Sequence, residues 1–313
     1  MLLRKAQIAL KLEAAEGTAE ALAAADADLY VYEPTFTPDI QTTPRNPLRA
    51  TLSNLPHFIG RKMASISFKT ELVGSAAAGT APTYGDALKA CGMSETLVAS
   101  TSVTYKPDST TSEGTGTSAT VALYIDGKKY MIYGARGDWE LNLVAGEPGF
   151  ITFTFTGIYG GVTDVALLTS ISYPATTPSV FMGATLTNGG VSMIAENFSL
   201  KAGNTVTVRP DVTTATGFRA AAITARDPGG SVDPEEELVS VRDDWGQLAA
   251  GSVTALSLVH GTGAGNILTI AAAKLSVESV GLGDRDGILT NGIDFTLVST
   301  TAAGEDEYTL AFT

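Results

Sequence analysis

Apolar and polar positions alternate with period two across residues 119–158, and this stretch sets the reading of the whole chain. Val121, Leu123 and Ile125 alternate with smaller or polar partners, and Asp126-Gly127 supplies a two-residue hairpin turn. The chain returns through Tyr130, Ile132 and Gly134, passes Arg136-Gly137, and continues as Trp139, Leu141 and Leu143. A turn at Gly146–Gly149 leads into Ile151, Phe153 and Phe155, interleaved with Thr152, Thr154 and Thr156. The pattern predicts a meander with one apolar and one wet face.

A second meander of the same plan lies at residues 252–297. Residues 252–261 predict a strand and Gly261–Asn266 a turn; Ile267, Thr269 and Ala271 mark the return strand. Residues 281–287 predict a loop, and Ile293, Phe295 and Leu297 a last strand. Short helices are expected before each meander, at Tyr84–Cys91 and Asp244–Ala250, each followed by a capping glycine, Gly92 or Gly251. A strand precedes each helix, Ala64–Val73 in one half and Arg219–Arg226 in the other. This repeated order points to an internal duplication, with one unit over 1–174 and a second over 175–313.

Elsewhere the pattern is weaker. Residues 1–28 are polar and Ala-rich and read as part helix, and Leu29–Phe36 reads as a strand. Four prolines within 37–60 exclude regular structure throughout and predict an extended arm or long loop lying across a neighbour. Residues 106–118 are a polar solvent loop, and 161–180 connect the halves. Hairpins are expected around Asn188-Gly189-Gly190 and around Ala202-Gly203-Asn204, and a sharp turn at Asp227–Gly230. The acidic run Asp233–Glu237 reads as a solvated loop or helix start.

Charge narrows the function. Twenty basic residues against 33 acidic give −13, which argues against a nucleic-acid binder with a basic stripe. The first unit carries 13 basic and 17 acidic residues, the second 7 and 16. The single Cys91 excludes an internal disulfide and reads as a buried small hydrophobe. Lys11, Glu13 and Glu16 interrupt the apolar run an export signal needs, and no stretch reaches membrane-span length, so a cytoplasmically made, soluble chain with no membrane partner is expected.

Candidate chemistry is sparse. His57 and His260 lie far apart without metal-ligand spacing. Gly261-x-Gly263-x-Gly265 leads into a strand rather than a helix, which disfavours a phosphate loop. Gly283–Gly287 fails the calcium-loop pattern, since Ile288 and Phe295 stand where ligands are required; a weak surface calcium stays open. Catalytic, cofactor and metal residues are therefore expected to be none. Two alternatives remain, a two-domain β-sandwich adhesin or carbohydrate binder and a glycoside hydrolase. The first needs an exposed aromatic platform, whereas Trp139 and Trp245 both read as core residues.

Several runs resemble the major tail tube proteins of long-tailed bacteriophages. They are Lys11–Thr18, Glu71–Ser75, Gly79–Met93, Asp126–Tyr130, Gly134–Gly137, Phe153–Gly157, Asp284–Gly287 and Tyr308–Thr313. The resemblance implies an all-β chain, mainly β with a few short helices, here as two tandem β-sandwich or half-barrel units that give strands to an oligomeric β-barrel tube. It implies a virion tail location, stacked rings of this chain, and tail terminator, tape measure and baseplate proteins as partners. Such rings are six-fold, with about four barrel strands per unit. About 24 strands at ~4.8 Å spacing and ~40° tilt close a circle roughly 48 Å across, wide enough for a DNA duplex. Two units per chain favour three chains per ring over a true hexamer.

The polar sheet face then becomes a channel wall. The residues expected to line it are Ser65, Ser67, Lys69, Glu71, Glu140, Asn142, Thr152, Thr154, Thr156, Glu278 and Asp294. A neutral-to-negative wall repels phosphate, so DNA passes without specific binding. Edge strands completing one another between subunits would assemble the ring, and the arm 37–60 and loop 106–118 would reach the next ring.

Overall fold

The structure, a computed structural model of the chain, describes residues 2–111 and 117–313. Part of the loop expected to reach a neighbouring ring, residues 112–116, lies outside the described residues. In the first half the strands are β1 (Ala6–Leu12), β2 (Val31–Thr43), β3 (Phe58–Glu71), β4 (Met93–Val98), β5 (Ser102–Pro107), β6 (Ala119–Ile125), β7 (Lys128–Val144) and β8 (Phe150–Asp164). Helix α1 (Gly85–Ala90) follows β3. The second half contributes β9 (Thr185–Asn188), β10 (Val191–Ser192), β11 (Ala195–Lys201), β12 (Asn204–Pro210), β13 (Phe218–Arg226) and β14 (Gly229–Pro234). It continues with α2 (Asp244–Ala250), β15 (Val253–His260), β16 (Leu268–Arg285), β17 (Ile288–Leu297) and β18 (Thr309–Phe312).

Eight of these strands form one continuous run in the order β2-β3-β8-β7-β11-β14-β17-β16, every pair antiparallel. The first four come from the first half and the last four from the second. The seam is β7–β11, where Leu141 stands opposite Leu200 and Leu143 opposite Phe198. One edge of β7 is shared, with β6 pairing along its N-terminal part and β11 taking Glu140–Val144. In β16 the N-terminal part, up to Ser276, pairs with β15, and no described strand pairs with residues 277–285 on the edge opposite β17. The outer edge of β2 is likewise unpaired among the described residues. Strands also cross between the halves at β18, which joins β16 to β5.

The core lies beneath this run. Phe68, Phe153, Phe155, Trp139, Leu141, Phe198, Leu200, Phe295 and Ile293 are all buried, and their cluster continues from one half into the other without a break. The two-residue turns Asp126-Gly127 (φ 36 and 102) and Asp286-Gly287 (φ 53 and 89) both use the left-handed backbone that tight hairpins demand.

Several expectations change. The described residues of 1–28 hold no α-helix; Ala6–Leu12 is strand β1, paired along its length with β6. That pairing places β6 inside, and a small second cluster of Ala9, Ala27, Ala122 and Tyr124 covers the face expected to be wet. In β16 the inward phase is Leu268, Ile270 and Ala272 rather than Ile267, Thr269 and Ala271, because His260 pairs with Leu268. Residues 281–285 are strand, and only Asp286-Gly287 turns.

Asn197–Lys201 and Thr205–Arg209 do not pair with each other: Gly203 (φ 65) steers the chain out of the sheet, so β12 pairs with β13 instead. Strand β13 therefore stands outside the main sheet, and the strand before α2 that occupies the place of β3 is β14. Gly229 and Gly230, expected in a turn, begin β14; a Cβ on Gly230 would sit 1.9 Å from the Ser199 carbonyl oxygen. The proline-rich segment is a long hairpin, regular up to Thr43 and again from Phe58, with an exposed tip between. Prolines 34 and 38 are tolerated because β2 is an edge strand.

Two of the quoted runs meet in the interior. Glu13 is buried and accepts hydrogen bonds from Gly17 N (2.8 Å), Ser118 Oγ (2.8 Å), Thr120 Oγ1 (2.9 Å) and Gly134 N (2.6 Å). Beside it the fully buried Arg136 pairs with Glu16 at 3.0 Å, and Glu16 also holds Arg209 of β12 at 2.6 Å. This network ties β1, β6, β7 and the β12–β13 hairpin together. Glu13→Ala strands several buried donors at once, and the expected loss is about 3 kcal/mol of unfolding free energy in urea titration.

Candidate functional site

The eleven residues expected to line a wall share one face of the eight-strand run. Ten of them fall into transverse rows set by the strand register. Ser65 faces Thr156, and Ser67 faces Thr154, their hydroxyl oxygens 3.1 Å apart. A third row runs Lys69, Thr152, Glu140 and Lys201, crossing the seam between the halves. A fourth runs Glu71, Phe150, Asn142, Ser199, Ser231, Asp294 and Ser279. Glu278 sits at the bulge between Val277 and Ser279 and accepts a hydrogen bond from Thr296 Oγ1. Residues one step away in each strand point into the core, which is why period two alone found this set.

Sequence reasoning missed the members contributed by short strands. Lys201, Ser199 and Ser231 belong to β11 and β14, whose pairing with β7 and β17 is non-local and leaves no turn signal to read. Glu140, Lys201, Asp227, Glu278, Asp294 and Thr296 surround one shallow polar groove centred on the second half of the run. Polar side chains close many local bonds: Ser199 and Ser231 oxygens lie 2.9 Å apart, and Ser279 donates to Asp294 at 2.7 Å. Lys69, the one cation of the expected set, is held by Glu33 at 2.6 Å. Tyr32 donates to Glu71 at 2.6 Å, and that carboxylate, with partial burial, pushes the phenol up to about 12. The face therefore presents hydroxyls, amides and an excess of carboxylates.

Another concave feature lies beside α1, lined by Asp26, Asp28, Asp86, Lys89 and Glu95. Lys89 bridges Asp86 (2.7 Å) and Glu95 (3.7 Å), and Tyr105 donates to Glu95 at 2.5 Å. Among the described residues no group of three His, Cys, Asp or Glu could hold a metal ion, and no helix is long and apolar enough to cross a membrane. His57 is exposed in the arm, whereas His260 is buried against Phe181, so the structure does not bring them together. Cys91 is buried, and burial pushes its thiol up.

Trp139 is a core residue, but Trp245 is 40% exposed, against expectation. In α2 the buried position is Asp244, held by Arg242 and Asn291, and the next residue along a helix points about 100° away. One exposed tryptophan is not a flat aromatic platform.

A family model described as phage tail tube protein matches residues 4–307, nearly the whole chain. No curated protein matches the chain.

Burial and the neighbouring Asp26 and Asp86 raise Asp28 to about 6 from its ordinary 3.8. The folded chain thus holds a proton that the unfolded chain releases, and stability falls as pH rises from about 4 to about 6. Asp28→Asn is expected to flatten that slope and stabilise the protein at pH 7 by about 1 kcal/mol, discounted for partial exposure, in urea midpoints taken at pH 4 and 7.

Proposed function

The chain belongs to the phage tail tube protein family, and from that premise we propose that its polar sheet face is the wall of a DNA channel closed by several copies joined edge to edge. It is a structural subunit of the virion tail. Membership of a structural family favours no enzymatic role over this one. The observation that carries the proposal is the pair of unpaired edges at the ends of the eight-strand run, β2 on one side and residues 277–285 of β16 on the other.

Support for two tandem units comes from strand order. The first half contributes β2-β3-β8-β7 and the second β11-β14-β17-β16, with α1 after β3 and α2 after β14. The β12–β13 hairpin stands between β11 and β14 as the arm tip stands between β2 and β3. On this reading the seam β7–β11 is the template for the contact between chains, in which β2 of one copy pairs with the free part of β16 of the next. Boundaries at 174 and 175 divide the units, and strand β18 reaches back across them.

Eight strands per chain favour three chains per ring. Three chains supply about 24 strands and a backbone circle roughly 48 Å across, whereas six would supply about 48 strands and a circle near 96 Å, far wider than a duplex needs. Rings stack into the tube, with tail terminator, tape measure and baseplate proteins as end and inner partners, and the chain is made in the cytoplasm of the bacterial host. Among the expected wall residues Lys69 is outnumbered by Glu71, Glu140, Glu278 and Asp294. Such a wall repels phosphate over about a Debye length, ~8 Å at physiological salt, and the duplex slides rather than sticks.

Two outcomes test this reading. Leu282 and Leu289 are 66% and 51% exposed and extend the apolar face beside the free edge of β16. Leu282→Lys with Leu289→Lys is expected to leave the melting temperature of the single chain within about 2 °C while abolishing rings in negative-stain images. Rings that form normally would remove the edge-pairing proposal. Glu140→Lys with Glu278→Lys should give intact tubes whose particles package or eject DNA poorly, and unaltered infectivity would remove the charged wall.

A further inference from the structure

Along the strand direction the sheet has a basic end and an acidic end, and both expose apolar side chains. Residues 44–62, at the end where β3 begins, contain Arg45, Arg49, Arg61 and Lys62 and no acidic residue. Leu48 and Leu52 are fully exposed there, and Phe58 and Ile59 more than half. Arg45 lies over the Phe58 ring at 5.4 Å and Arg49 donates to the Ser53 carbonyl, so neither meets a carboxylate among the described residues.

The opposite end is acidic. Strand β3 runs from the arm to Glu71, which pairs with Phe150 beside the β7–β8 turn. At that same end β14 finishes at Pro234, and the chain continues as Glu235, Glu236 and Glu237, then exposed Leu238, Val239, Val241 and Trp245. Arg285 engages Glu196, Asp233 and Glu235. Glu236 and Glu237 make no ion pair among the described residues, and Glu236 Oε2 is buried with no hydrogen-bond partner. The fourteen residues of β3 separate the two ends by roughly 45 Å, so one chain cannot bring them together.

We propose that the basic, apolar arm tip of one chain docks on the acidic, apolar 236–245 segment of a second copy in the next ring. The proposal rests on the tube reading above and names the surface that receives the arm. A contact between opposite ends is head-to-tail and does not close, which is the geometry that propagates a filament. Arginine and glutamate at its rim set register and polarity, while Leu48, Leu52, Val239 and Trp245 supply the apolar centre.

Charge reversal and cross-linking test it together. In 0.15 M salt, Arg45→Glu with Arg49→Glu is expected to cut pelletable tubes at least ten-fold, as is Glu236→Arg with Glu237→Arg. Mixing neither variant with wild type but combining all four changes in one chain should restore tubes. Arg45 and Arg49 are exposed, so their reversal should leave the melting temperature unchanged; Glu236 and Glu237 are half-buried, and recovery of tubes by the chain carrying all four changes shows that the fold survives their reversal. Leu48→Cys with Val239→Cys, in a chain whose own Cys91 is buried, should give under oxidation a ladder of disulfide-linked species longer than one ring. A ladder that stops at ring size means the arm reaches a lateral neighbour and overturns the proposal. Wild-type tubes that persist through both reversals and give no ladder overturn the docking surface while sparing the tube reading. Absence of both tubes and cross-links from every chain overturns the two together.

Discussion

Backbone amides and carbonyls of a strand need partners, and this chain satisfies one junction internally while leaving its two matching margins without any. At β7–β11 five consecutive residue pairs, Asn197–Val144 through Lys201–Glu140, join the halves into one sheet. The outer side of β2 and the last half of β16 are the margins at either end, and neither is paired among the described residues. Long open edges are a hazard to a soluble protein unless something covers them. Here Pro34, Pro38 and two register shifts in the β2–β3 hairpin weaken one edge toward indiscriminate partners, and on the proposed assembly a second copy carries the complementary one. Assembly and the avoidance of aggregation thus depend on the same backbone groups.

Once the margins are joined, the rest of the design follows from alternation. Every residue buried against Phe153 or Phe295 forces its neighbours to the other face, so the core dictates which residues form the polar face. Hydroxyls close bonds among themselves there, as Ser67 does with Thr154 and Ser199 with Ser231, and the lysines of this face, Lys69 and Lys201, are outnumbered by Glu71, Glu140, Glu278 and Asp294. The two helices pack against the core on the opposite face, whereas Arg136 stands opposite Thr156 in the register and lies with the Glu13 network and the β12–β13 hairpin at the arm end of the polar face.

How much of this was legible in the sequence depended on whether the determining contacts were local. The β6–β7–β8 meander was readable because Asp126-Gly127 and the Thr/Phe alternation of β8 are local signals. The helix caps at Gly92 and Gly251 were readable for the same reason. Strand β1 was not, since Ala6–Leu12 is a strand only through its non-local partner β6. The hairpin expected at Gly203 failed because Asn204 is held elsewhere, donating to the carbonyls of Cys91 and Gly137. Polar-face residues on long strands were legible from period two. Lys201 and Ser231 were not, because their strands are placed by pairing across the seam.

Hydrogen exchange measured on single chains and on assembled tubes tests the central claim most directly. The amides of β7 and β11 at the seam should be protected in both states. Those on the outer side of β2 and at residues 277–285 of β16 should exchange quickly in the single chain and become protected, by at least a hundred-fold, in the tube. Equal exchange at those two margins before and after assembly would show that the chains join by some other surface, and would contradict the account.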